Sequence, residues 1–346
     1  MHFPTRYRVV ISLMLLLLAL ILLVPLAPYA LAYVQGAGGV ANPGTELWRE
    51  VRQGVPGQTQ VQGTDTGTLI GAGGEQWRRF RMEQLVPYSA VIFAGVVGLF
   101  VLYFLIRGRI RITAGRSGRL IQRYTLSDRW IHWFMAVVFL ILMLTGLVLL
   151  YGRWILIPWL GPEGFGATAQ FCKSAHNLTG LLFPVAVVLV LFAYLREALF
   201  NFKVDITWFL RAGGYLGGKH PSSGKINAGQ KAWYWTVVVG GVLLCVSGLA
   251  LYFPDFVQSR ELLRNAYQVH TLVAVFIIAF FFVHIYLGAI GMEGSLEAMT
   301  SGSVDANWAK EQHDLWYEEV RGQPEPDPPG AGGIAAGGVA SPRPDD

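Results

Sequence analysis

Four of the seven histidines lie in or at the ends of long apolar segments, where an ionisable ring is costly and usually functional. They are His132, His176, His270 and His284. The last two share one segment and are 14 residues apart, so at about 100° per residue their rings leave the same face of a helix. At about 1.5 Å per residue they differ in depth by about 21 Å, most of a roughly 30 Å hydrocarbon core.

Chain direction predicts a partner for each of these rings. His132 begins a segment on the side where the His284 segment ends, and His176 begins one on the side of His270. His132 should therefore be level with His284, and His176 with His270. Two imidazole pairs, one in each leaflet, are what two bis-histidine haem irons require. The alternative is that each ring only packs against neighbouring helices.

Composition places these histidines in a membrane. Of 346 residues, 53% are hydrophobic and 14% charged, and the mean hydropathy is +0.44. Spanning helices need roughly 20 apolar residues, and continuous rather than alternating runs favour helices over a barrel. The predicted fold is an all-α membrane protein, a four-helix cytochrome b bundle over residues 130–292 preceded by one more transmembrane helix. The apolar runs cover residues 9–34, 86–106, 130–151, 176–200, 233–253 and 266–291.

The two ends of the chain have different predicted roles. Arg6 and Arg8 precede an apolar stretch and Ala30-Leu31-Ala32 follows it, so residues 1–34 are predicted to be a cleaved signal peptide, with a retained helix as the alternative. Residues 35–85 are rich in Gly, Gln and Thr and are predicted to be a loose periplasmic segment. Residues 293–346 form a C-terminal tail that need not fold after about 322.

Basic residues predict the orientation. Residues 107–129 hold seven arginines and residues 201–231 hold five lysines and arginines, whereas the two alternate connections hold two basic residues each. The basic connections and the C-terminus are therefore predicted to be cytoplasmic. This topology accounts for the net charge of +5 without nucleic acid.

Other metal and ligand chemistry is disfavoured. Cys172 and Cys245 cannot supply the four thiolates of an iron–sulfur cluster, and no C-x-x-C-H attaches a haem. The helices lack His-x-x-x-His and Glu-x-x-His motifs and show none of the interruptions or inverted repeats of transporters. The remaining histidines are predicted to be solvated or in tails: His2, His220 and His313. Glycines predicted to let a flat macrocycle approach are Gly146, Gly180 and Gly288.

From about Tyr124 to Tyr317 the chain resembles the gamma subunit of membrane-bound formate dehydrogenase, the cytochrome b that anchors that enzyme. Residues 1–123 have no counterpart in the shorter family members. A histidine-bearing bundle alone would also suit the cytochrome b subunits of hydrogenases or thiosulfate reductases. The resemblance rests on Asp128-Arg129-Trp130-Ile131-His132-Trp133, on residues 225–231, on His270 and His284, and on Gly294-Ser295, Met299, Gly302, Val304, Trp308-Ala309-Lys310, His313 and Trp316-Tyr317.

The resemblance implies a route for electrons. In that family a molybdenum or tungsten alpha subunit oxidises formate, and an iron–sulfur beta subunit relays electrons to two b haems and then to menaquinone or ubiquinone. The outer haem would be held by His176 and His270, and the inner one by His132 and His284. The chain itself has no formate-oxidising site. The alternatives are a subunit of another respiratory enzyme such as a hydrogenase, or a haem-free anchor or transporter.

A quinone that takes up two protons needs polar groups close to an aqueous face and to the inner haem. Asn227 and Gln230 precede an apolar segment on the predicted cytoplasmic side, and Gly229 permits close backbone approach. From sequence alone they suit an ordinary helix N-cap equally well. The resemblance implies that Asn227, Gly229 and Gln230 contact the quinone.

Overall fold

The computed structural model describes residues 72–217, 220–257, 259–322 and 324. The predicted signal peptide, most of the predicted periplasmic segment and the end of the C-terminal tail lie outside the described residues. Helices dominate the described chain. In order, the elements are α1 (Ala72–Arg79), a π-helical turn (Phe80–Leu85), α2 (Val86–Arg107), β1 (Leu120–Gln122), α3 (Leu126–Ile155), α4 (Ile157–Gly180), α5 (Phe183–Tyr194), α6 (Phe202–Leu210), a 3-10 turn (Ala212–Gly214), α7 (Ala228–Tyr252), a 3-10 turn (Pro254–Phe256), α8 (Arg260–Ile285), a π-helical turn (Tyr286–Gly291), α9 (Glu297–Thr300), β2 (Ser303–Asp305), α10 (Ala306–Gln312) and α11 (Asp314–Val320).

The all-α membrane fold is confirmed. Four helical stretches are long and apolar enough to span a bilayer, and the bent pair α4–α5 would make a fifth span. Many large apolar side chains on them are exposed, such as Leu105 (75%) and Phe192 (72%), as expected of surfaces that face lipid. The four stretches are Gly73–Arg107, Leu126–Ile155, Ala228–Tyr252 and Arg260–Gly291.

The first described span begins earlier than predicted. Residues 72–85, which were expected to belong to a loose segment, are helical and continue directly into α2. Glu75 pairs with Arg78 and Arg79 at 2.7 and 3.0 Å, and Trp77 stacks on Tyr267 of α8 with ring centres 6.2 Å apart. Hydropathy misses this polar extension because local ion pairs and contact with another helix stabilise it.

The predicted helix over 176–200 is divided. It continues upstream as α4, stops at Gly180 and resumes as α5, with a bend of 42° between the two. Pro184, in the first turn of α5, has no N–H to donate, so no backbone hydrogen bond from this residue can join α5 to the end of α4. Uninterrupted helices were one argument against a transporter. Because this span is interrupted, that argument does not hold.

The chain divides into two compact units, and the four apolar-segment histidines all belong to the first. Its described parts are residues 72–105, 131–196, 233–257 and 259–284. Val138 of α3 packs with Phe183 and Val187 of α5, and Leu244 and Cys245 of α7 cover that cluster. Helix α2 joins the same unit through Phe93, which contacts Tyr151 of α3 and Phe282 of α8 edge-on. These contacts hold the ring-bearing helices together.

The second unit comprises the described parts of residues 106–130, 197–232 and 285–346. Strands β1 and β2 pair antiparallel, with Ile121 opposite Val304. Val304 and Trp308 are fully buried there. His313, which was predicted to be solvated, is only 1% exposed, so that prediction is wrong. His313 is buried because residues from two connections and from the C-terminal segment pack around it. No local sequence pattern reveals this packing.

Candidate functional site

The four histidines form two close pairs. The ring centres of His132 and His284 are 6.3 Å apart, and those of His176 and His270 are 6.2 Å apart. Helix α8 carries one ring of each pair, while α3 and α4 carry the partners. These are the partners that chain direction predicts. Ligation of a haem by these rings is not itself tested by the distances and stays a prediction.

The spacing of each pair fits one six-coordinate iron. Imidazole nitrogens bind first-row metals at about 2 Å and lie about 1.1 Å from the ring centre, so two rings on opposite faces of an iron have centres about 6.2 Å apart. Both pairs match this distance. A porphyrin supplies the other four ligands, which suits a pair of histidines with no further donors. Indeed, the described chain has no cluster of three or more His, Cys, Asp or Glu that could hold a bare metal ion.

In the pair His176–His270, a hydroxyl faces Nδ1 of each ring. Thr145 Oγ1 lies 2.9 Å from Nδ1 of His176, and Ser247 Oγ lies 3.1 Å from Nδ1 of His270. Both hydroxyls are buried and were missed by sequence reasoning. The signal that would have found them is a hydroxyl residue followed by glycine within an apolar helix, as in Thr145-Gly146 and Ser247-Gly248.

The glycine that follows each hydroxyl residue leaves space for the neighbouring histidine ring. A Cβ on Gly146 would lie 3.4 Å from Cε1 of His176, and one on Gly248 would lie 3.2 Å from Cε1 of His270. Gly146, one of the glycines predicted to let a macrocycle approach, lies against the His176 ring in the structure. Gly180 has more room, since an added Cβ would meet only Leu142 at 4.0 Å. For Gly288, the described chain places no atom within 4 Å of that position apart from the adjoining residues and the nearby backbone of its own helix.

The pair His132–His284 has aromatic surroundings instead. Trp233 stacks on His284 with ring centres 5.1 Å apart and planes 18° apart, and Trp133 meets His132 edge-on at 5.3 Å. Sequence reasoning did not find this contact between Trp233 and a paired ring. Nδ1 of His132 is buried and has no hydrogen-bond partner among the residues that the structure describes.

The predicted quinone residues lie in the second unit, where they cap α7. The Asn227 side-chain oxygen accepts from the Gln230 amide at 2.9 Å, and the Gln230 side-chain oxygen accepts from the Asn227 amide at 3.0 Å. This reciprocal pair satisfies backbone donors at the helix start. A Cβ on Gly229 would lie 2.8 Å from the Trp208 ring. The N-cap is therefore present, and it uses the amide oxygens but not the amide nitrogens.

A buried ion pair and a buried arginine of the second unit were not found from sequence. Lys231 donates to both carboxylate oxygens of Asp205, at 3.2 and 2.9 Å, and both side chains are almost fully buried. Arg123, 5% exposed, donates to the Lys225 carbonyl at 2.5 Å and lies 3.4 Å from the Gln230 side-chain oxygen. The start of α7 is thus surrounded by ordered polar groups.

An all-helical membrane protein with histidine pairs at iron-ligand spacing has the architecture of a membrane b-type cytochrome. Comparison with known families agrees, because the family model described as prokaryotic cytochrome b561 matches residues 123–302, about half of the chain and all four paired histidines. The chain belongs to this prokaryotic cytochrome b561 family. Membership of a cytochrome b family implies haem b.

Three curated relatives carry related names. The formate dehydrogenase cytochrome b556(fdo) subunit of Escherichia coli K12 is 32% identical over 204 residues, 58% of this chain and 93% of that one. The nitrate-inducible cytochrome b556(Fdn) subunit of the same organism is 28% identical over 209 residues, 59% and 93% of the two chains. The formate dehydrogenase cytochrome b556 subunit of Haemophilus influenzae is 31% identical over 208 residues, 58% and 83%.

Proposed function

We propose that this chain is the membrane subunit of a formate dehydrogenase complex, that it holds two b haems, and that it passes electrons from an iron–sulfur subunit to quinone. The observation that carries the proposal is the matched spacing of the two pairs, 6.3 and 6.2 Å between ring centres. Structural histidines have no reason to adopt a spacing that suits an intervening iron twice. Haem b, when bound, supplies an iron that gains and loses one electron reversibly.

The protein's own groups have separable tasks in this proposal. His176 and His270 would hold the haem on the electron-donor side, and His132 and His284 the haem on the quinone side. Helix α8 contributes to both sites, so it fixes the spacing between them. The exposed apolar surface of the first unit keeps these rings within the bilayer and away from bulk water.

The proposed partners are those that the resemblance to the formate dehydrogenase gamma subunit implies. Cys172 and Cys245 are free thiols, and among the described residues no cluster suits an iron–sulfur centre. The proposed electron donor is another subunit, of the iron–sulfur type, attached to a molybdenum or tungsten subunit that oxidises formate. The basic connections and the C-terminus are proposed to be cytoplasmic, in a bacterial inner membrane.

We propose Asn227, Gly229 and Gln230 as the quinone contacts. Their amide oxygens belong to the N-cap. The amide nitrogens, for which the described part of the chain shows no acceptor, would donate to a quinone oxygen. Gly229 lies next to them in the same turn and packs against the Trp208 ring. Menaquinone and ubiquinone share the carbonyl oxygens that such donors would contact.

The haem content of the purified chain tests the central proposal. A pyridine haemochrome assay should return two non-covalent b haems per chain. Alanine at any paired histidine should remove one of them, whereas His220→Ala, an unpaired histidine of the second unit, should leave both. One haem or none in the unaltered chain contradicts the proposal.

The electron donor is tested with the native complex in membranes. Addition of formate should reduce the haems, as seen in their absorption bands. The catalytic and iron–sulfur subunits should purify together with this chain. Reduction by hydrogen but not by formate would instead assign the chain to a hydrogenase. A chain that contains haem but purifies without either partner would contradict the assignment to formate dehydrogenase.

A further inference from the structure

We propose that Thr145 and Ser247 are positioning residues that hold His176 and His270 in one tautomer, strengthen both rings as iron ligands, and so lower the reduction potential of that site. The inference rests on the proposed haem binding and adds to it an ordering of the two sites. Neither hydroxyl touches the iron; each acts through the ring beside it.

The direction of each hydrogen bond follows from the hydroxyl's second contact. Thr145 Oγ1 lies 2.6 Å from the carbonyl oxygen of Ile141, and Ser247 Oγ lies 2.6 Å from that of Leu243. A carbonyl only accepts, so each hydroxyl proton is committed to its own helix backbone. The hydroxyl oxygen is then placed to accept from Nδ1–H of the ring, which also faces the backbone carbonyl of Leu142 at His176 and of Leu244 at His270. Consequently Nε2 of both rings carries no proton and is free to bind a metal.

Burial makes this arrangement consequential. Thr145 is 4% exposed and Ser247 is 5% exposed, so water does not compete for either bond. An imidazole that donates its second N–H to an acceptor is a more basic ligand. More basic ligands favour the ferric state, and second-shell hydrogen bonding is one of the means by which a protein sets a haem potential.

The two pairs differ in this respect. Among the described residues, no hydroxyl bonds to His132 or His284; His284 stacks on Trp233, and Nδ1 of His132 has no partner. Stacking and apolar burial add no acceptor that would increase ligand basicity. The His176–His270 site should therefore have the lower potential, and the His132–His284 site the higher. That order favours electron flow from the first pair towards the second, the direction in the proposed function.

Isosteric variants test the inference by potentiometry. Thr145→Val and Ser247→Ala each remove one acceptor. Each should shift the oxidised-to-reduced equilibrium of one haem roughly three- to tenfold towards the reduced form, on the net worth of one hydrogen bond. A tenfold shift corresponds to about 59 mV for one electron. The reduction potential of the other haem should not change. Thr145→Ser and Ser247→Thr keep a hydroxyl, so in these variants both haems should keep the potentials of the unaltered chain.

A matched control is available one residue after His270. Among the described residues, the Thr271 hydroxyl bonds only to carbonyl oxygens of its own helix, at 2.7 and 3.2 Å, so Thr271→Val removes a membrane hydroxyl without touching a ring. It should leave both potentials unchanged. Low-spin EPR of the ferric haems gives a second measure, since only the affected haem's signal should shift in Thr145→Val and Ser247→Ala.

The outcomes separate this inference from the proposed function. Absence of haem from the unaltered chain would defeat the proposed function itself. Two haems with potentials unmoved in both variants would leave haem binding intact and overturn the role of Thr145 and Ser247. If a variant loses its haem, the Ser and Thr exchanges decide: retained haem with an unaltered potential and EPR signal supports the inference, and an altered potential opposes it.

Discussion

Arg123 donates through its guanidinium to Nε2 of His313 across 3.0 Å. The other ring nitrogen of His313 donates to the Gly224 carbonyl at 2.7 Å. His313 is therefore neutral, with its proton on Nδ1. The guanidinium lies over the Trp308 ring, 4.9 Å from its centre. The contacts of Arg123 and His313 thus link two connections and the C-terminal segment of the second unit. They depend on the His313 ring staying uncharged.

The first prediction concerns pH and the second unit. Burial, together with the positive charge of Arg123, holds the pKa of His313 well below its usual 6.5. The unfolded chain takes up a proton on this ring below pH 6.5 and the folded unit does not, so the unit loses stability as the pH falls below that value. The loss approaches about 1.4 kcal/mol per pH unit. Hydrogen exchange of the β2 and α10 amides, compared with His313→Gln at each pH, should show a steeper dependence on pH in the unaltered chain than in the variant.

His220 is the other histidine of this unit with a lowered pKa, again chiefly through burial. It therefore adds to the slope in the same direction. The double variant His220→Gln, His313→Gln should be flatter with pH than either single variant. Equal slopes in all four proteins would show that neither ring controls the stability of the unit.

The second prediction concerns the buried ion pair of Lys231 and Asp205. Asp205→Asn leaves the ammonium group buried without its counter-charge and should cost about 3–5 kcal/mol of local stability. The matched pair Lys225–Glu197, at 3.0 Å, has side chains about a quarter exposed. Glu197→Gln should cost at most about 1 kcal/mol. Protection of the α6 amides from hydrogen exchange measures both, and similar losses would contradict the prediction.

The third prediction separates quinone contact from helix capping at Asn227. Asn227→Asp keeps an oxygen that caps α7 but removes the amide N–H donors, whereas Asn227→Ala removes both. If the nitrogen contacts quinone, both variants should slow quinol formation roughly three- to tenfold or more while both haems stay bound and are still reduced by the donor. If the side chain only caps, Asn227→Asp should be as active as the unaltered chain.

The fourth prediction concerns the pairing of the four ligands. His176→Ala and His270→Ala should remove the same haem, and His132→Ala and His284→Ala the other. Redox titration of the four variants should show two phenotypes, each shared by one pair. Four distinct titration curves, or a phenotype shared by His132→Ala and His270→Ala, would refute the assignment.

Much of this protein follows from the sequence because regular helices in a bilayer obey fixed geometry. Residues 14 apart on one helix face the same way and differ in depth by a fixed rise, so the partners of His270 and His284 could be named from chain direction alone. The all-α membrane fold likewise follows from continuous apolar runs, since a bilayer core leaves the backbone few other solutions.

Contacts between helices were decided only in the folded chain. The hydroxyls of Thr145 and Ser247 lie on different helices from the rings that they hold, and no periodicity connects them. The burial of His313 likewise depends on residues brought together from two connections and the C-terminal segment. The helical structure of α1 depends partly on the contact of Trp77 with Tyr267. Hydropathy and spacing describe one helix at a time, whereas these features are set by packing between segments distant in the chain.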